Sequence, residues 1–509
     1  MSPVSSHGPL GRLGSWTATH FGVVALGWAV LALGLGFFAP KVEHALSGAG
    51  WEATGSESLE VRETVDREFG GLSSSALMVV VHSDSQTADE PAFAAAIADA
   101  QRLLAADPRV TDVVVPREGQ SISRDGHTAV IQAGAAASSN AMVRAADDLK
   151  EPLAALGADG VEVSLTGASG MWSDFNEANK TAMMRSELIS WPVTLGILLL
   201  AFGSLVAAGL PLLLTILGLV ASAGSLYLGT QLLDISIWAM NFALMFALAL
   251  GIDYALFLVY RFRGAFSASG DRVDAVAETM DTAGKAVLFS GVTVLISLSA
   301  VMLVPSPAFR SMALGIMLSV VFILAATLTL LPAVLARLGP RIDRFGLPWA
   351  KSGEHRSARF AAWGERLWRR PVAFGAVAVV VLVALAIPVL GLKTGMPSIK
   401  VVPEEDGSRV AYAQVQDAFG PGAPGALQIV APTSDATRVG EIATADAGVA
   451  QVMPAMPGTA GRAMVQVIPR QDPSDPAVGA TIDRLRTELP DAALVGGAVA
   501  ENHDLETAL

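Results

Sequence analysis

A chain of 509 residues with 52% hydrophobic and only 16% charged residues lies outside the range of soluble domains and is longer than one core usually organises, so a membrane part and at least one soluble part are expected. The net charge of −13 argues against nucleic acid as a partner. Without cysteine there is no disulfide, thiolate catalysis or cysteine-bound metal.

Residues 1–19 precede the first apolar stretch, 20–39, which is long enough to cross about 30 Å of hydrocarbon. It lacks a small-residue cleavage site and reads as an uncleaved signal anchor, TM1. Residues 40–187 form a first soluble domain in which acidic groups outnumber basic ones about two to one. Strand patterns at 76–82, 110–116, 128–134 and 161–167 alternate with helical runs at 90–106 and 139–156, which suits a small split α+β sheet with helices on one face. Further apolar stretches at 188–207, 209–229, 236–259, 285–304 and 311–336 make a TM2–TM6 bundle over 188–336, and runs this long span as helices. Within it, 270–285 reads as an amphipathic helix and "VPSPAFR" (304–310) as a tight loop.

The linker 337–371 is basic, with nine Lys or Arg against three acids over 337–370, and "YRFR" closes TM4. The positive-inside rule makes both cytoplasmic. After TM7 (372–391) the chain ends in a second soluble domain, 392–509. Alternation of the spans then places the N-terminus in the cytoplasm and both soluble domains outside, in a multi-pass protein of the plasma (inner) membrane.

The two soluble domains echo one another. "VRETVDREFGGLSSSALMVVV" from 61 and "AYAQVQDAFGPGAPGALQIVA" from 411 match Phe69, Gly70, Ala76, Leu77 and Val80 to Phe419, Gly420, Ala426, Leu427 and Val430. "SLTGASGMWSD" (164–174) is echoed by "LVGGAVAENHD" (494–504), matching Gly167, Ala168 and Asp174 to Gly497, Ala498 and Asp504. Both copies follow a span, which points to duplication. The pattern calls for a further span near residue 518, TM8. The expectation is a shortened form or fragment of a longer transporter, or a chain whose self-association or partner supplies TM8–TM12.

Asp253 is the one carboxylate well inside an apolar span. Placing it in hydrocarbon costs roughly 2.5 kcal/mol or more, so such a residue is expected to face another helix or a water path and to serve as a proton-binding site. The bland alternative is an interfacial aspartate snorkelling beside Arg261 or Arg263. Tyr254, about 100° round the helix, is either a relay hydroxyl or an interfacial anchor. Gly251, Ala247 and Ala255 leave room for a close helix. Phe257 is a candidate gate or a packing residue, and Ser290 and Ser297 either reach TM4 or bond their own helix.

"GIDYALFLVYRFR" (251–263), "TAGKAVLFSGVTVLISLSAVML" (282–303) and "LTLLPAVLARLG" (328–339), together with the long soluble domain before them, resemble the MMPL family, the mycobacterial-membrane-protein-large branch of the resistance-nodulation-division transporters. The resemblance covers nearly the whole chain. It implies two porter-like domains on a polytopic helical bundle and export of lipids or other hydrophobic compounds from the bilayer, driven by the proton-motive force. The coupling ion is then H+, with no other cofactor. The family's relay uses Asp-Tyr pairs in spans four and ten. The first transfers to Asp253 and Tyr254, with Phe257 and Ser290 at neighbouring positions, while no stretch here matches span ten. Gly264 and Ala265 stand where acids often follow the Arg-Phe-Arg end. A lipid-sensing or scaffolding membrane module, which would tolerate loss of Asp253, and an accessory to protein export are the rival readings. An enzyme is disfavoured, because no zinc-protease pair, phosphate-binding loop or serine elbow is present.

Overall fold

The computed structural model describes residues 7–46, 50–233, 235–346, 358–391, 395–396 and 398–509. Residues 347–357 of the basic linker lie outside the described residues. Among the described residues, seven helices are long and apolar enough to cross a membrane.

α1 (Pro9–Thr19), α2 (Phe21–Gly36) and the single turn α3 (Val42–Ala45) lead to the first lobe. It comprises α4 (Glu57–Glu68), β1 (Leu77–His82), α5 (Pro91–Ala105), β2 (Val110–Val114), β3 (Thr128–Ala135), α6 (Ser139–Ala154) and β4 (Glu162–Thr166). α7 (Gly167–Phe202) follows without a break and runs from the lobe into the bundle. Its 36 residues make a rod about 54 Å long. The strand-to-helix corner depends on Gly167, whose φ of +79° disfavours any residue with a Cβ; its match Gly497 has φ +99°.

The bundle continues with α8 (Leu205–Gly229), α9 (Trp238–Ser269), α10 (Arg272–Thr279), α11 (Lys285–Val301) and α12 (Pro307–Leu338). A π-helical stretch joins α10 to α11. α9 and α12 form its centre with α8 against both, around Leu214, Leu258, Phe262, Ile323 and Leu331. α13 (Ala358–Arg369) and α14 (Pro371–Ala386) follow, and α14 has no buried residue. The second lobe holds α15 (Gly407–Phe419), β5 (Leu427–Pro432), α16 (Ala436–Ala445), β6 (Val449–Val452), β7 (Met456–Pro457), β8 (Arg462–Pro469), α17 (Ala477–Glu488), β9 (Leu494–Gly496) and α18 (Ala498–Ala508).

The sheets have matching orders, β2-β3-β1-β4 and β6-β8-β5-β9, with β7 added beside β8. Every neighbouring pair is antiparallel. Val80 pairs with Val130 and Ser164, and its match Val430 pairs with Met464 and Leu494. Strand alternation divides the faces. Leu77, Val79 and Val81 join Phe93, Leu104 and Met142 of the lobe's own helices, while Val80 points the other way.

That other face is where the structure departs from a sheet with helices on one side only. Val80 and Val130 are covered by Ala411 and Val415 of α15, which comes from the second copy. Reciprocally, Val430 and Met464 of the second sheet are covered by Val61 and Val65 of α4. The two lobes have exchanged their first helices.

Candidate functional site

Asp253 lies exposed on α9, and no hydrogen bond or ion pair to it is seen among the described residues. Phe257, one turn on, is 63% exposed and Tyr260 62%. These three form a stripe at i, i+4 and i+7 on the surface of the bundle. Tyr254 turns inward, 5% exposed, and its hydroxyl lies 3.4 Å from Ser290 Oγ on α11. The roughly 100° step between adjacent helical residues therefore separates an exposed carboxylate from a buried, hydrogen-bonded phenol.

The neighbouring arginines are engaged elsewhere. Arg261 pairs with Glu278 at 2.7 Å. Arg263 pairs with Asp343 at 2.6 Å and donates to the Phe202 carbonyl at 2.7 Å. Asp253 is thus not their snorkelling partner. Gly251 provides the close approach to α8, since a Cβ there would stand 2.4 Å from Thr215 Oγ1. Ala247 and Ala255 are fully buried beside it. Ser290 faces outward near the same stripe.

A second feature lies between the lobes, a cavity of about 710 Å³ lined by matched positions of both copies. One wall is charged. Arg62 pairs with Glu501 at 2.9 Å and with Glu52, and Ser74 donates to Glu501. The Glu501 side chain is 11% exposed, and burial pushes its carboxyl up, against the pull of Arg62 and Ser74. The matched positions carry no such ion pair, with Tyr412 where the first copy has Arg62, Pro424 for Ser74, and Met171 for Glu501, although Lys400 and Ser474 also line the cavity. Tyr412 is held protonated, its pKa raised by burial and by Asp472. The result is a compartment in which the Arg62–Glu501 ion pair has no counterpart at the matched positions.

Trp51 and Trp172 close one end of that cavity. Their rings are stacked with centroids 6.4 Å apart, and Trp51 also meets Trp238 and Phe309 edge-on at 5.8 and 5.6 Å. Phe175 joins Trp172 and Trp238. The loop 304–310 is tied to this place through Thr54 N–H to the Pro305 carbonyl at 2.9 Å and Ala308 N–H to the Gly50 carbonyl at 3.0 Å. Amphipathic rings clustered between lobe and bundle are what a membrane–water boundary favours. Sequence reasoning missed Arg62, Glu52 and Glu501. The signal available was polarity that differs between matched positions of the duplication. Among the described residues no cluster of potential metal ligands is present.

A family model described as "MMPL family" matches residues 50–378. The mycolic acid-containing lipids exporter MmpL11 of Mycolicibacterium smegmatis is 29% identical over 497 residues, covering 92% of this chain and 52% of that protein. Membrane protein YdfJ of Bacillus subtilis is 31% identical, over 81% of this chain and 58% of that protein. The trehalose monomycolate exporter MmpL3 of Mycobacterium tuberculosis is 25% identical, over 84% and 49% respectively. The chain thus spans about half the length of the curated relatives it matches.

Proposed function

The chain belongs to the MMPL family, and from that premise we propose that this multi-pass membrane protein works in proton-motive-force-driven export of lipids or other hydrophobic compounds across the plasma membrane. The observation that carries the reading is Asp253, a carboxylate on an otherwise apolar membrane face, free of the nearby arginines and beside the Tyr254–Ser290 pair. A lone acid at such a place can take up and release a proton as its surroundings alternate. Passing one charge through the membrane potential releases roughly 2.3 kcal/mol per 100 mV, enough to bias a two-state change.

In this reading the lobes face outward and the α1–α10 end of the bundle faces the cytoplasm. The cavity between the lobes, lined by the Arg62–Glu501 pair and by apolar residues such as Met171, Pro424 and Val499, suits an amphiphile, whose polar end would lie at Arg62 and Glu501. The exposed stripe of Asp253, Phe257 and Tyr260 is the surface that a second bundle would cover, whether from a longer chain, a partner or a second copy.

The test is efflux of a fluorescent hydrophobic probe from energised vesicles, with wild type, Asp253→Asn and an uncoupler. Loss of efflux to background under both treatments, with Asp253→Asn still inserted and folded, is the expected result. Efflux unaffected by Asp253→Asn would sink the proton-relay reading and favour a lipid-sensing or scaffold module.

A further inference from the structure

Asp174 on α7 and Asp504 on α18 are matched residues of the duplication, with side chains 11% and 10% exposed. Asp174 Oδ2 accepts from the backbone N–H of Ser408 at 2.9 Å, and Asp504 Oδ2 accepts from that of Ser58 at 3.2 Å. Ser58 and Ser408 are themselves a matched pair, each the second residue of an exchanged helix. The other carboxylate oxygen is met by a cation from the corresponding helix, though not from a matched position, and Arg486 reaches Asp504 Oδ2 as well. Lys150 on α6 lies 3.4 Å from Asp174 Oδ1, and Arg486 on α17 lies 2.5 Å from Asp504 Oδ1.

Both carboxylates therefore sit at the positive end of a helix borrowed from the other copy, where a charge-assisted hydrogen bond and the helix dipole act together. For α15 this contact stands in for a cap, since its N-cap residue Asp406 makes no side-chain capping bond. The places joined are mechanical junctions. α7 is the rod that runs on into the bundle, and α15 is the first long helix after α14. On the other side, α4 is the first long helix after α2, and α18 repeats the opening turns of α7.

We propose that Asp174 and Asp504 are a duplicated pair of latches, each fixing the N-terminus of an exchanged helix to the helix that follows the last strand of its host lobe. A displacement of α7 is delivered to α15 through Asp174, and a displacement of α4 is delivered to α18 through Asp504. Neither residue touches the cavity or Asp253, so the role is one of positioning and does not depend on the proton step.

The experiment uses the full chain in lipid nanodiscs with two pairs of spin labels on exposed sites, Thr181 with Ala413 across the first latch and Glu63 with Thr507 across the second. Asp174→Ala is expected to broaden the 181–413 distance distribution and leave 63–507 narrow, and Asp504→Ala to do the reverse. Amide exchange should rise roughly tenfold at the start of α15 in the first variant and of α4 in the second. Asp174→Asn keeps an acceptor for the Ser408 N–H, so it should restore most of the protection in α15. If either alanine variant broadens both pairs alike, the residues support overall stability only and the latch proposal is overturned. Absence of broadening in both pairs would overturn it equally.

Discussion

At the scale of single residues, burial and pairing set opposite signs on two acids of the second copy. The Asp446 side chain is 3% exposed and accepts from Arg484 Nε and Nη2, each at 2.8 Å, and from the Gly448 N–H at 2.7 Å. The Arg484 hydrogen bonds hold its carboxyl below the usual range despite the opposing effect of burial. A lowered folded-state pKa contributes stability that is present above the unfolded value of about 3.9 and lost as pH falls through the folded value. Asp446→Asn should therefore cost about 2 kcal/mol at pH 7 and flatten the loss of stability below about pH 4. Denaturant unfolding of the solubilised chain at pH 7 and at pH 3 checks this, and parallel acid losses in both proteins would count against it. Glu501 runs the other way. Its raised carboxyl favours the fold below the unfolded value of about 4.3 and withdraws that support as pH rises through the folded value. Asp253 was legible in the sequence because a lone acid in an apolar run costs energy wherever it points. Asp446 was not, because an acid in a polar loop reads as surface until the fold brings Arg484 to it.

At the scale of elements, the membrane helices were legible because runs of about 20 apolar residues have few alternatives. The docking of α1 was not, because it depends on small residues meeting one carboxylate. The N–H groups of Gly8 and Gly11 donate to Asp281 at 2.7 and 3.0 Å, so an acid beyond the end of α10 caps the N-terminal helix. A Cβ at Gly11 would stand 2.3 Å from Asp281 Oδ2 and 3.0 Å from the Ala277 carbonyl. Gly11→Val should release α1 from the bundle while leaving α8, α9 and α12 packed. Trypsin cleavage after Arg12, an exposed site on a helix that resists proteolysis only while docked, should quicken roughly tenfold. An unchanged cleavage rate would show that α1 is held without this contact. The split sheets were legible from strand alternation, whereas the exchange of α4 and α15 was not. Both helices present small aliphatic side chains at helical spacing, and periodicity says which face is buried but not against which sheet.

At the scale of the whole molecule, the exchange must be specified by fit, since two near-copies would otherwise accept either arrangement. Val61 of α4 lies against β9 at Gly496, where a Cβ would stand 2.5 Å from the valine. The position matched to Gly496 in the first copy is Thr166, and its hydroxyl donates to the Ser408 carbonyl of α15 at 2.8 Å. If α4 folded back onto its own sheet, Val61 would meet Thr166 in place of a glycine, and the Thr166 hydroxyl would lose its acceptor. Either lobe alone is thus incomplete, with Val80 and Val130, or Val430 and Met464, uncovered. Re-exposing each such side chain costs about 1.5–3 kcal/mol. A fragment of residues 50–166 should consequently self-associate, and mixing it with residues 395–509 should give a one-to-one complex by light scattering. Gly496→Thr in the second fragment should weaken that complex by crowding Val61, whereas a stable monomer of 50–166 with α4 packed on its own sheet would show that the exchange is a choice of the intact chain and not of the local fit.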